Sequence, residues 1–123
     1  MKQHITVEQL KEFITNNDAE DKIMIAIGEE EGSMSAEIAW RRKMSGGLDQ
    51  SDYAYKKVAE RYTIGQMIEI LKEKDECVSI AHLINWRDEG DEWGWIIELR
   101  HLHIWATDKE LADALWKALK SIL

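Results

Sequence analysis

The sequence has one cysteine, a deficit of positive charge and no long apolar run. Cys77 has no second cysteine to pair with, which excludes an internal disulfide and favours a reducing, cytoplasmic location. The apolar runs are only a few residues long, whereas a membrane-spanning helix needs roughly 20. The first residues also lack the apolar segment of a secretory signal. We therefore predict a cytoplasmic protein without a membrane partner.

Basic residues are outnumbered by acidic ones, 16 to 24, which gives a net charge of −8. Such a chain repels phosphate backbones, so direct nucleic-acid binding is disfavoured. The same charge attracts proteins that have basic surfaces. We expect the partner to be another protein with a basic surface, and a homodimer is a second expectation.

Catalytic motifs are also missing. The glycines of "MSGGLDQS" lack the preceding strand and the following Lys-Ser/Thr of a phosphate loop, and Cys77 has no CxxC partner. His101 and His103 are predicted on one side of a strand, a spacing that some metal sites use, with His82 as a third ligand. However, His82 shares its predicted strand face with apolar residues, and a lone histidine there is more often packed or hydrogen-bonded than a ligand. We predict no enzyme, no cofactor and no metal, and keep a metal-dependent enzyme using His101 and His103 as the third hypothesis.

Helices are predicted from cap signals and apolar periodicity over residues 7–16, 52–61, 64–74 and 108–122. The last is the clearest, because its leucines and alanines form one stripe at a period of 3.6 residues. Three of these starts match the capping-box pattern: Thr6 with Gln9, Thr63 with Gln66, and Thr107 with Glu110.

Strands are predicted at 22–28, 34–41, 77–85 and 93–99. The first is apolar on both faces, and the second alternates apolar and polar residues. After Arg100 the alternation of apolar and polar residues shifts by one position. This shift predicts a bulge or tight turn near 100–101.

Together these elements predict a single α+β domain over residues 1–123. It has an antiparallel sheet of about four or five strands, packed by three or four helices. The segments 5–45 and 62–123 share Thr, Gln and Glu near their starts and a similar order of predicted elements. Two explanations fit this likeness. One is duplication of a helix–strand–strand unit, and the other is that both segments use the same residue types to cap a helix.

The stretch "INWRDEGDEWGW", residues 84–95, places four acids around one glycine between tryptophans. It is predicted to be a hairpin with a solvated acidic tip, and the loop "GEEEG" at 28–32 is read in the same way. Tryptophan beside acids is a composition typical of protein contacts. The predicted partner-binding residues are Asp88, Glu89, Asp91, Glu92, Trp86, Glu29, Glu30, Glu31 and Trp105.

Residues 62–123 resemble the small α–β–α sandwich domains found in phage proteins. The resemblance rests on "YTIGQMIEIL", on the tryptophan-bearing strand "EWGWIIEL", and on "HIWATDKELADALWKALKSIL". It implies a helix before a sheet, a final helix that covers the sheet, and a phage origin. It implies no catalytic residues.

Our leading hypothesis is a small acidic binding protein that occupies a partner's surface. An inhibitor of a host nucleic-acid enzyme or defence system, such as an anti-CRISPR protein that mimics nucleic acid, fits this composition. The alternative is a nucleotide-binding or sequestering protein, with an aromatic residue stacking a base and an arginine holding phosphate. The candidate arginines are Arg41, Arg42, Arg61 and Arg87.

Overall fold

A computed structural model describes residues 1–85 and 92–123, with the backbone alone described at 83–85 and 92–93. The described residues form six helices and a three-stranded antiparallel sheet, which confirms the α+β class. They fall into two compact units. The helical unit comprises residues 5–62, and the mixed unit comprises residues 1–4 and 63–122.

Each unit has its own set of elements. The helical unit contains α1 (Val7–Phe13), α2 (Asn17–Ala26), α3 (Ser33–Met44) and α4 (Ser51–Arg61). The mixed unit contains α5 (Ile64–Lys74), β1 (Val78–Asn85), β2 (Glu92–Leu99), β3 (Ile104–Asp108) and α6 (Leu111–Lys120). None of the helices in the described part of the chain is long and apolar enough to cross a membrane.

Side chains cap the helices as the sequence predicts at two of three places. At the start of α1, Thr6 Oγ1 accepts the Gln9 N–H at 3.1 Å and Gln9 Oε1 accepts the Thr6 N–H at 2.9 Å. At α5, Thr63 Oγ1 accepts the Gln66 N–H at 3.1 Å, which is one of the two hydrogen bonds of a capping box. The prediction for α6 is wrong, because Thr107 pairs with β2 as part of β3 and the helix begins only at Leu111.

The prediction of a strand at 22–28 is wrong. Residues 22–26 are the last part of helix α2, and residues 27–28 come directly after it. Asn16 accepts the Ala19 N–H at 2.8 Å and so starts the helix upstream of the apolar run. Ile23 and Ile27, four residues apart, are buried, whereas Ile25 is exposed. A strand would place all three isoleucines on one face, so this burial pattern is helical.

The strand predicted at 34–41 is also wrong, because it forms most of α3. Met34 is buried and Ile38, one turn later, is half-buried, while Trp40 is exposed. Positions four apart fit a period of 2 and a period near 3.6 equally well, which explains the misreading. Residues 5–45 are therefore helical and do not repeat the helix–strand–strand order of 62–123.

The core of the helical unit is built around Tyr62, which follows α4 and is fully buried. Its hydroxyl donates a hydrogen bond to the Ile23 carbonyl at 2.5 Å, which ties the end of α4 to α2. The Ile5 N–H donates to the Tyr62 carbonyl at 3.3 Å, so the two ends of the unit meet. The other buried apolar residues of this unit are Ile5, Leu10, Ile23, Met24, Ile27, Met34, Ala54, Val58 and Ala59.

The sheet of the mixed unit has the order β1-β2-β3. The hairpin prediction is confirmed, with Val78 opposite Leu99 and Asn85 opposite Glu92. The predicted break near 100–101 is confirmed as a turn over 100–103, after which β3 runs back along β2. The sheet has three strands in the described residues, so the expected four or five is wrong, since two predicted strands are helices.

Helix α6 packs on β2 and β3 and also against α5. Ile97 and Leu99 of β2 are fully buried, and their partners across the β2–β3 ladder are Ala106 and Ile104. The helix itself buries seven residues: Leu111, Ala112, Ala114, Leu115, Trp116, Ala118 and Leu119. This stripe is the one that the sequence predicts, and it forms the core of the mixed unit.

The first four residues belong to the mixed unit although 58 residues separate them from the rest of it. His4 forms an isolated β-bridge with Thr63, and the Ile64 N–H donates to the Gln3 carbonyl at 3.1 Å. Lys2 forms an ion pair with Asp113 of α6 at 2.5 Å. The N-terminus is therefore held on both α5 and α6.

Candidate functional site

Asp75 is the buried charged residue of the mixed unit, and it follows α5 directly. Its side chain is fully covered. Oδ1 accepts the Cys77 N–H at 2.8 Å and Oδ2 accepts the Leu102 N–H at 3.0 Å. The carboxylate therefore fastens the link between α5 and β1 to the turn between β2 and β3.

The charge of Asp75 is stabilised by these donors. Desolvation of the buried carboxyl raises its pKa, but the backbone N–H groups of Cys77, Leu102 and His101 and the charge of His101 lower it. The net effect holds the pKa of Asp75 below its ordinary value of 3.8. At neutral pH this residue is an anion.

His101 lies in the turn between β2 and β3, with its ring close to both Asp75 and Cys77. Its Nδ1 is 3.6 Å from Asp75 Oδ1, and its Nε2 is 3.3 Å from Cys77 Sγ. Both His101 and Cys77 are exposed, so solutes can reach the sulfur. The three side chains thus form a compact cluster, in which a buried carboxylate lies beneath an exposed imidazole and an exposed thiol.

The prediction that His101 and His103 lie on one side of a strand is wrong, because both are exposed in the turn over 100–103, where His103 has a φ of 54°. In the described residues, His101 is grouped with Asp75 and Cys77 and not with the other two predicted histidines. His82 stacks on Trp95 instead, with ring centroids 4.3 Å apart and planes 8° apart. One donor atom each from Asp75, Cys77 and His101 lies within 4.8 Å of the others, so this set replaces the predicted histidines as the candidate for a cation.

Sequence reasoning missed Asp75 and dismissed Cys77. A signal for their proximity was present in the predicted hairpin, because antiparallel pairing of 77–85 with 93–99 brings residue 77 next to residue 100. The Arg100 N–H indeed donates to the Cys77 carbonyl at 3.2 Å.

Most of the predicted acidic tip falls outside the described residues. This holds for Trp86, Asp88, Glu89 and Asp91. The backbone of Glu92 begins β2 opposite Asn85. The part these residues play in partner binding stays a prediction.

The second predicted acidic loop joins α2 to α3, so it is a helix–helix connection and not a hairpin. Glu29, Glu30 and Glu31 are all exposed. Glu29 accepts a hydrogen bond from Arg61 at 2.8 Å, which neutralises one of the three charges. Glu30 and Glu31 therefore carry the local negative charge.

Trp105 in β3 is 71% exposed, so its side chain lies outside the core of the mixed unit. Trp116 is buried beside the α6 stripe, which the sequence also predicts. Trp40 is 56% exposed, on helix α3. Trp95 is half-buried, and its ring is in contact with an exposed histidine.

The arginines considered for a nucleotide site are mostly engaged within the helical unit. Arg41 donates to Glu37 at 2.7 Å and lies 5.0 Å from the Tyr53 ring centre. Arg61 donates to Glu29 and to the Ile27 carbonyl. Arg87 lies outside the described residues, and Arg42 is exposed on α3. These contacts give no particular support to a phosphate site.

Comparison with known proteins returned no matching family model, no matching curated protein and no matching solved structure.

Proposed function

We propose that this protein binds a partner protein through the sheet of the mixed unit, and that the partner presents a basic surface. The observation that carries the proposal is the exposure of Trp105, 71% of whose surface is open to solvent. A large aromatic side chain left in water contributes nothing to the core. Tryptophan is also among the residues that dominate binding energy at protein interfaces.

The strand pairing explains why Trp105 faces outward. Its neighbours Ile104 and Ala106 lie on the sheet face that carries the buried residues Ile97 and Leu99. Alternation along β3 then directs Trp105 and Thr107 to the opposite face. The partner of Trp105 in β2 is Glu98, so the tryptophan ring has a carboxylate beside it.

The net charge of −8 determines the kind of partner. Proteins that bind nucleic acid have Lys- and Arg-lined grooves, and carboxylates can occupy such grooves in place of phosphates. An inhibitor of a nucleic-acid enzyme or of a defence system is the function that this composition supports best. Association should weaken as salt screens the charges.

The test compares wild-type protein with Trp105→Ala and Trp40→Ala as immobilised baits for lysate proteins. A specific partner should be eluted by salt and by heparin, a polyanion that competes for basic surfaces. Loss of a hot-spot tryptophan costs about 2 kcal/mol or more, so Trp105→Ala should weaken the purified complex about 30-fold or more.

Trp40→Ala is the matched control, because Trp40 is also exposed but lies in the helical unit. Both variants should unfold within about 0.5 kcal/mol of wild type, since surface substitutions rarely exceed this. The proposal fails if Trp105→Ala binds the partner as tightly as wild type does. It also fails if heparin and salt leave the complex intact.

A further inference from the structure

We propose that Cys77 is the nucleophile of a thiol–disulfide exchange site, with His101 as its general base and Asp75 as a positioning residue. The substrates are small disulfides that carry carboxylates. This activity goes beyond partner binding and uses a different part of the mixed unit. It rests on the cluster of Asp75, Cys77 and His101.

Each ring nitrogen of His101 faces a different neighbour. Nδ1 faces the Asp75 carboxylate at 3.6 Å and Nε2 faces Cys77 Sγ at 3.3 Å. When the imidazole carries its proton on Nδ1, its Nε2 lone pair is within reach of the thiol proton. A nucleophile with a base within reach of it is the central element of an activated thiol.

Asp75 has a role in this site that needs no cation. Its two carboxylate oxygens accept the backbone N–H groups of Cys77 and Leu102. Asp75 therefore positions the thiol and the imidazole through the backbone, because it holds Cys77 itself and the turn that carries His101.

Disulfide exchange suits this site better than acyl transfer. Acyl transfer requires N–H donors aimed at a developing oxyanion. The Cys77 N–H is already donated to Asp75, so it is not available for that purpose. Exchange at sulfur requires only an attacking thiolate, an accessible substrate sulfur and a leaving thiol.

The exchange transfers one proton and replaces one S–S bond by another. Nε2 of His101 takes the Cys77 proton, and the Sγ thiolate attacks one sulfur of the substrate R–S–S–R. The new Sγ–S bond forms as the substrate S–S bond breaks, and the leaving RS⁻ receives the proton from Nε2. The products are a mixed disulfide on Cys77 and one RSH. Because the sequence has a single cysteine, the mixed disulfide persists until a second thiol molecule reduces it.

Arg100 gives the site a preference for anions. A surface depression beside the thiol is lined by Cys77, Val78, Ser79, Ile80 and Arg100. The guanidinium is held only loosely, with Nε 3.9 Å from Glu98 Oε2. Glu76 precedes the thiol in the sequence, and Asp75 and Glu98 are the other carboxylates of this region, so Arg100 is the cation of the depression that can attract a substrate carboxylate.

The test measures the second-order rate of Cys77 with the dianionic disulfide 5,5′-dithiobis(2-nitrobenzoate) and with neutral 4,4′-dithiodipyridine. A free thiol at pH 7 is only a few per cent thiolate, so a base can raise the rate by up to about 30-fold. His101→Gln should lower the rate about tenfold or more at pH 7 and leave it unchanged near pH 10, where any thiol is ionised. Imidazole in solution should restore part of the loss.

His103→Asn is the matched control, because it removes an exposed histidine from the same turn and keeps a residue that tolerates positive φ. Its rate should equal that of wild type. Asp75→Asn should lower the rate at pH 7 and not near pH 10. Arg100→Gln should slow the dianionic probe several-fold and leave the neutral probe unaffected. Thermal melting establishes that each variant is folded.

Equal rates for wild type and His101→Gln at pH 7 would overturn the proposal. So would a wild-type rate equal to that of N-acetylcysteine. The proposal would also be overturned if the purified protein contained stoichiometric zinc and reacted only after a chelator had removed the metal. That result would assign the cluster to a metal.

Discussion

Replacing Trp116 by alanine is expected to lower the free energy of unfolding by about 3–5 kcal/mol. Trp116 is 2% exposed and lies in α6, the helix that packs on β2, β3 and α5. Removing the buried indole is expected to leave a large cavity beside α6, and both the lost burial and the cavity destabilise the fold. Urea unfolding followed by far-UV circular dichroism measures the loss.

Trp105→Ala is the matched control for this prediction, because it removes the same side chain from an exposed position. Its free energy of unfolding should stay within about 0.5 kcal/mol of wild type. If the two variants are equally stable, the assignment of Trp116 to the core and of Trp105 to the surface is wrong.

The second large effect is alkaline loss of stability caused by Tyr62. Burial raises the pKa of this tyrosine well above its ordinary 10.0, and the nearby Arg61 lowers it by less. Below about pH 10 the phenol is protonated in both the folded and the unfolded chain, so its contribution is complete. Above that pH the unfolded chain releases the proton and the folded chain keeps it. Stability should then fall by about 1.4 kcal/mol per pH unit until the folded pKa is reached.

Tyr62→Phe isolates this contribution because it keeps the ring and removes the ionisable hydroxyl. At pH 7 the variant should be less stable by about 1 kcal/mol, since the hydrogen bond to the Ile23 carbonyl is lost. Between pH 10 and pH 11.5 its stability should fall less steeply than that of wild type. Other tyrosines ionise in both proteins and cancel in the comparison. Equal slopes would mean that Tyr62 is not shielded from water.

The sequence predicts the mixed unit better than the helical unit, and the difference has a physical cause. The hairpin of β1 and β2 and the stripe of α6 are long periodic patterns that one period alone can explain. Residues 22–28 and 34–41 are short apolar patterns that satisfy two periods. Their helical state is decided by local signals such as the Asn16 cap and by burial of Ile23 and Ile27.

The candidate site was predicted only in part for a related reason. His101 is singled out by its spacing to His103, but its neighbours are fixed by turn geometry. Asp75 reaches the 100–103 turn because its carboxylate accepts the Leu102 N–H, 27 residues away. No periodicity encodes such a contact. The exposed Trp105, in contrast, follows from alternation along one strand.

The placement of residues 1–4 in the mixed unit has a consequence for how the chain is organised. His4 is bridged to Thr63 within that unit, and Ile5 is hydrogen-bonded to Tyr62 within the helical unit. The backbone therefore leaves the mixed unit and re-enters it through adjacent residues. In terms of connectivity, the helical unit is an insert in the mixed unit, placed between His4 and Thr63. Any replacement for that insert would have to span only the short gap from His4 to Thr63.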